Sequence, residues 1–219
     1  MSKFLELNSI SKTFKASKNL KVIKNLSYNF KKGKIYSLMG PSGSGKSTLL
    51  NIISLIEQPS NGSIKFNKHQ IDYVQKEKND QFRAKKIGIV YQQNNLLPDF
   101  TSLENIYLAS LSINNNKDLA ISKAKQLLKK IGLSNRSDHY PSQLSGGEAQ
   151  RIAIARAIIN DPEIILADEP TGSLDMKTAK IIFKLLKDQK RSDRLIIFAT
   201  HNRFFGNKAD CLLEILNGK

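Results

Sequence analysis

The sequence predicts an α/β fold in which a helical segment interrupts a core of strands and helices. Three observations carry that expectation. Short β-rich apolar runs lie towards both ends of the chain, at residues 4–10, 22–30, 34–39, 164–167 and 195–199. From about residue 96 to residue 160 apolar side chains recur instead at helical spacing, in residues 103–111, 119–131 and 148–159. A glycine-rich turn follows the run that ends at Met39 and leads into an apolar stretch, residues 49–56, of short-helix length. Helices inserted between two groups of strands describe an α/β core with a helical lobe.

In chain order, the first two runs are strands of an N-terminal sheet. The third enters Gly40-Pro41-Ser42-Gly43-Ser44-Gly45-Lys46-Ser47-Thr48. Strand, glycine loop and helix, in that order, form the setting in which such a loop cradles phosphates. A triphosphate carries several negative charges that must be neutralised without bulky side chains in the way. Gly40, Gly43 and Gly45 allow close approach, so successive N–H groups can point at phosphate oxygens. Lys46 brings a positive charge to the outer phosphates and Ser47 offers a hydroxyl to Mg2+. The helix that starts there aims its positive end at the anion.

Residues 87–91 form a short apolar strand followed by Gln92 and Gln93. Further on, Leu144-Ser145-Gly146-Gly147-Glu148 is a capping box, with Ser145 capping a helix and Glu148 reaching back. The same turn leaves free N–H groups, two glycines and a hydroxyl at a helix N-terminus, which makes a second phosphate-binding surface in one chain. Then comes Ile164-Ile165-Leu166-Ala167-Asp168-Glu169, four apolar residues of a buried strand closed by two carboxylates. In an open parallel sheet, ligands lie at the carboxyl ends of strands. Asp168 can there hold Mg2+ and Glu169 can polarise an attacking water. A helix over residues 176–189 separates this strand from the last run, which ends before His201.

Composition limits the function classes. At 219 residues the chain can bury a proper core, and its apolar runs are too short to span a bilayer. The first ten residues mix Lys3, Glu6 and Asn8 with apolar positions, so no secretory signal is expected and the chain should stay in the cytosol. The single cysteine, Cys211, permits no internal disulfide, and its neighbours Leu212, Leu213 and Ile215 suggest core packing. Asn114 to Asn116 read as a polar loop. A net charge of +16 is compatible with nucleic acid, an anionic membrane surface or an acidic partner. The lysines are scattered, however, and neither an RNA-binding signature nor a zinc finger is present, so a solvated lysine-rich surface is the expectation and no specific nucleic acid is implied.

With these motifs in this order, the chain resembles ABC-type ATP-binding subunits over essentially its whole length. The resemblance implies an ATP-hydrolysing, Mg2+-dependent enzyme. It also implies a P-loop NTPase (RecA-like) core, residues 1–92 and 161–219, with an N-terminal antiparallel β subdomain and an inserted α-helical subdomain, residues 93–160. In that family Ser145, Gly146 and Gly147 belong to a signature loop that closes on the γ-phosphate held by another protomer, so a homodimer with shared nucleotide sites is implied. Gln92 would sense Mg2+ and the γ-phosphate, His201 would contact the γ-phosphate, and Ser173-Leu174-Asp175 would contact the other protomer. Phe14 lies about where the family stacks an aromatic on adenine, although it could equally be a core aromatic. Two departures stand out: Ala149 replaces a polar residue and Asn202 stands where Asp is common. Residues 96–106 and 166–175 are similar to the lipoprotein-releasing LolD type and its MacB and FtsE relatives. That similarity implies integral membrane partners at the inner membrane, with export or mechanotransmission as alternatives. A DNA-repair or translation ATPase of the same family is the alternative from another class.

Overall fold

The computed structural model describes residues 3–15, 20–113 and 115–219. Met1, Ser2 and Asn114, which the sequence reading placed in the N-terminal segment and the polar loop, lie outside the described residues. The chain begins with β1 (Leu5–Phe14), β2 (Leu20–Phe30), β3 (Ile35–Met39), α1 (Lys46–Ile53), β4 (Asn61–Phe66) and β5 (His69–Gln70). It continues through α2 (Lys76–Lys86), β6 (Ile87–Val90), α3 (Ser102–Leu111), α4 (Lys117–Lys130) and α5 (Gly146–Ile158). It closes with β7 (Ile164–Asp168), α6 (Met176–Lys187), β8 (Leu195–Ala199), α7 (Arg203–Gly206) and β9 (Cys211–Glu214). These elements form two compact units, Met1–Asp80 with Lys190–Lys219, and Gln81–Gln189.

The first unit holds an antiparallel sheet in the order β2-β1-β4-β5. Leu5 pairs with Phe30 on one side and Phe66 on the other, and all three are buried. The inward face shifts from Leu5 and Leu7 to Ile10, which breaks the period of two. Ser9, at φ 52°, absorbs the extra residue as a bulge, and Asn25 on β2 does the same at φ 54°. In the same unit β3 lies between β8 and β9, parallel to both. Every residue of β3 and β8 is buried, as the uninterrupted apolar sequence of a covered parallel strand requires. Strand β9 alternates between half-buried and exposed, and this corrects the expectation for Cys211: it is half-buried opposite Tyr36, not a core residue. Asp210, just before β9, fixes its start by accepting the Ile35 N–H at 2.7 Å and the Lys190 ammonium at 2.6 Å.

In the second unit β6 and β7 pair in parallel, Ile87 opposite Ile164 and Val90 opposite Ala167. Helices α3, α4 and α5 all fall within residues 93–160 and share one apolar core. Ala120, Ala124 and Leu128 make one buried stripe on α4 at helical spacing, while its lysines stay on the exposed face. The unit also takes in β6, β7 and α6. Its close packing has a visible mark at Gly88, where a Cβ would collide with the Ala157 carbonyl. Among the described residues no helix is long and apolar enough to cross a membrane.

Candidate functional site

In the first unit β3 runs straight into the glycine loop. Gly40 has φ 148°, and a Cβ there would collide with the Ile215 carbonyl, so the loop can leave the sheet only through glycine. Gly45, at φ 105°, is the N-cap of α1. The first bond into the helix runs from Leu49 N–H to Gly45 O at 2.8 Å. The N–H groups of Lys46, Ser47 and Thr48 therefore have no partner within the helix, and the first turn carries no acid to compete for an anion. The Lys46 side chain folds back under the loop. It is only 7% exposed, and its Nζ donates to Gly40 O at 2.8 Å and Pro41 O at 3.0 Å. Pro41, Ser42 and Gly43 form the exposed rim, Ser44 is buried below them, Ser47 is exposed and Thr48 is half-buried.

Thr200 N–H donates to Leu38 O at 3.0 Å, so β8 ends level with the strand that feeds the loop, and exposed His201 follows directly. Asn202 then caps α7 by accepting the Phe204 N–H at 2.9 Å. Phe14, the last residue of β1, keeps 38% of its surface exposed, and Lys12 Nζ lies 5.0 Å from its ring centre. The ring is therefore not a core aromatic.

In the second unit β7 ends at Asp168, and Glu169 takes φ 44°, a left-handed conformation that strains a non-glycine residue. Gly172 N–H closes the turn onto Glu169 O at 3.0 Å. Gln92 comes to this turn, since a Cβ on Gly172 would lie 3.1 Å from Gln92 Nε2. Farther along, Ser145, Gly146, Gly147 and Arg151 line a polar cavity of about 290 Å3 with Ser173, Leu174, Asp175 and Thr178. The expected capping box is present: Ser145 Oγ accepts the Glu148 N–H at 3.3 Å and Glu148 Oε2 accepts the Ser145 N–H at 2.8 Å. Asp175 caps α6 through the N–H groups of Lys177 and Thr178, and its carboxyl is held below the usual range by its hydrogen bonds to Thr178.

A family model described as ABC transporter matches residues 23–172. The chain belongs to the ABC transporter family. It is 39% identical over 219 residues to the lipoprotein-releasing system ATP-binding protein LolD of Rickettsia bellii, covering 99% of this chain and 97% of that one. It is 43% identical over 217 residues to the LolD of Ehrlichia canis, covering 98% and 96%. Among solved structures, the ATP-binding cassette MJ0796, in a dimeric post-hydrolysis state bound to ADP and Pi, superposes with a TM-score of 0.91 at 36% identity, covering 98% of this chain and 95% of that one. The α/β fold read from the sequence is thus the fold of ABC cassettes.

Within this ABC transporter chain, several polar side chains that the sequence reading did not single out hold the segment around Gln92. Buried Gln150 donates to Tyr91 O at 3.0 Å, and the Arg156 guanidinium spans Asn94 O at 2.8 Å and Asn95 O at 2.7 Å. Asn105, 1% exposed, accepts the Leu97 N–H at 2.8 Å and donates to the carbonyls of Leu97, Phe100 and Thr101. A polar residue at a buried helical position was the one signal in the sequence that could have found them.

Proposed function

We propose that the chain is the Mg–ATP-hydrolysing subunit of a lipoprotein-releasing transporter, working as a homodimer on integral membrane subunits at the cytoplasmic face of the bacterial inner membrane. The observation that carries the chemistry is Lys46, buried beneath a glycine loop and held by two main-chain carbonyls at the start of a helix with no acid in its first turn. Such a turn favours a compact cluster of negative charge, as a triphosphate presents. The LolD relatives, similar nearly end to end, support the lipoprotein cargo and the membrane location. The dimeric cassette MJ0796 supports the homodimer.

Each residue has a role in this reading. Gly40 to Thr48 wrap the phosphates, with Lys46 on the outermost ones, and Phe14 stacks on adenine. Among the described residues no three His, Cys, Asp or Glu side chains converge as a metal cage. Ser47, Gln92 and Asp168 instead supply hydroxyl, amide and carboxylate oxygens, the donors that Mg2+ accepts when nucleotide phosphates complete its shell. Held there, Mg2+ would supply positive charge against the phosphates. Glu169 accepts the proton of the water that attacks the γ-phosphorus, His201 holds the γ-phosphate, and the products are ADP and phosphate. Ser145, Gly146 and Gly147 receive the γ-phosphate of the other protomer.

Two substitutions separate binding from chemistry. Lys46→Ala should weaken ATP binding by about tenfold or more and lower turnover with it, because it removes the cation on the outer phosphates. Glu169→Gln should leave affinity within about twofold while cutting turnover by a factor of roughly 100 or more. The measurements are nucleotide titration and steady-state phosphate release. Near-normal turnover in Glu169→Gln would remove Glu169 from the role of base.

A further inference from the structure

Glu148 poses an electrostatic conflict. As the third residue of α5 it is well placed for the helix, since a carboxylate near an N-terminus complements the helix dipole. The Ser145 N–H, and after it Arg136, hold its carboxyl ionised, with the pKa pushed down to about 2. That same N-terminus is the surface proposed to receive a phosphate. A bare carboxylate in its first turn repels the ligand that the turn exists to bind.

Arg136 resolves the conflict. It closes the short turn Ser134–Arg136, and its Nε donates to Glu148 Oε1 at 2.9 Å, while Glu148 Oε2 stays on the Ser145 N–H at 2.8 Å. Both carboxylate oxygens are engaged, one by the cap and one by a cation. The Arg136 Nη1 lies 3.2 Å from His139 Nε2. A guanidinium can only donate, so Nε2 is the acceptor in this contact. His139 therefore orients Arg136. Ser102 N–H and Oγ fix the His139 main chain through its carbonyl, at 2.8 and 3.0 Å.

We infer that Arg136 is a positioning residue for ATP-driven closure of the dimer: by pairing with Glu148 it cancels the charge of the carboxylate that caps the signature turn, so the turn keeps its cap and still accepts the γ-phosphate held by a second copy of this chain. The inference rests on the proposed role of Ser145, Gly146 and Gly147. It differs from simple bracing in a way that can be measured. If charge is what matters, removing the carboxylate charge makes the arginine dispensable. If bracing is what matters, removing either partner does the same harm.

The test uses the full chain carrying Glu169→Gln, with dimer formation followed by light scattering as ATP is added. Adding Arg136→Met should raise the ATP concentration for half-maximal dimerisation by about fivefold, the upper end for a charge pair that solvent partly screens. ATP affinity measured on dilute monomer should not change. Glu148→Gln keeps an oxygen for the Ser145 N–H but loses the charge, so Arg136→Met with Glu148→Gln should return to within about twofold of the parent, a strongly non-additive pair. Unchanged dimerisation in Arg136→Met overturns the inference, and so does a double variant as impaired as Arg136→Met alone. A parent that fails to dimerise with ATP overturns the shared-site reading itself, an outcome distinct from both.

Discussion

Gly88 lacks a side chain for a reason that lies in another element: α5 crosses β6 so closely that the Ala157 carbonyl occupies the space a Cβ would need. A main-chain carbonyl within a helix cannot swing aside as a flexible side chain can. Gly88→Ala is therefore expected to destabilise the protein by about 1–3 kcal/mol through overpacking. The effect should appear as a lower urea midpoint at unchanged slope, and an unaltered midpoint would show that strand and helix separate freely. Asn202 illustrates the opposite, a departure from the family pattern at little cost. Its side chain caps α7, and Asn and Asp serve equally well as N-caps.

Among the elements, residues 91–101 have no helix or strand of their own, yet their carbonyls are held by Gln150 and Arg156 of α5 and by Asn105 of α3. Buried side-chain donors here do the work that a backbone ladder does elsewhere. With its main chain fixed from within, the segment turns Leu97 and Phe100 outward, 44% and 38% exposed, while Leu96 packs on the helical core. We propose that Leu97 and Phe100 dock a short helix of the membrane subunit. Leu97→Asp and Phe100→Asp should release that partner in a pull-down from detergent, with nucleotide affinity of the isolated subunit retained. Retention of the partner places the docking surface elsewhere, and loss of both properties marks a folding defect.

For the whole molecule, charge is the dominant global property. Even if each of the 19 carboxylates paired with one cation, 16 of the 35 Lys and Arg would remain unmatched. These charges are distributed over both units, on α4 and α6 as well as between β2 and β3. Binding to DNA should be weak, indifferent to sequence and lost between about 50 and 200 mM salt, as counterion release dictates. Turnover should not respond to DNA. Gel-shift titrations across a salt series, with phosphate release measured in parallel, check both statements. Strong stimulation by nucleic acid at physiological salt would favour a repair or translation ATPase over a transporter.

By itself the sequence determined the features whose parts are neighbours along the chain. The glycine loop, the strand before it and the helix after it follow from residue order. So does the capping box, because Ser145 and Glu148 are three residues apart and the helix brings them together. Short or weakly buried elements were not legible: α2 has no buried residue, β5 and β9 are short and have none either, and β4 buries only Ile64 and Phe66. Tertiary structure alone decided the rest. It left Cys211 on a half-exposed outer strand, set Ser145, Gly146 and Gly147 around one cavity with Asp175 and Thr178, and brought Arg136 to Glu148. The physical reason is the same in each case. Burial, cavity walls and ion pairs depend on which surfaces meet when distant segments pack, and local propensity carries no information about that meeting.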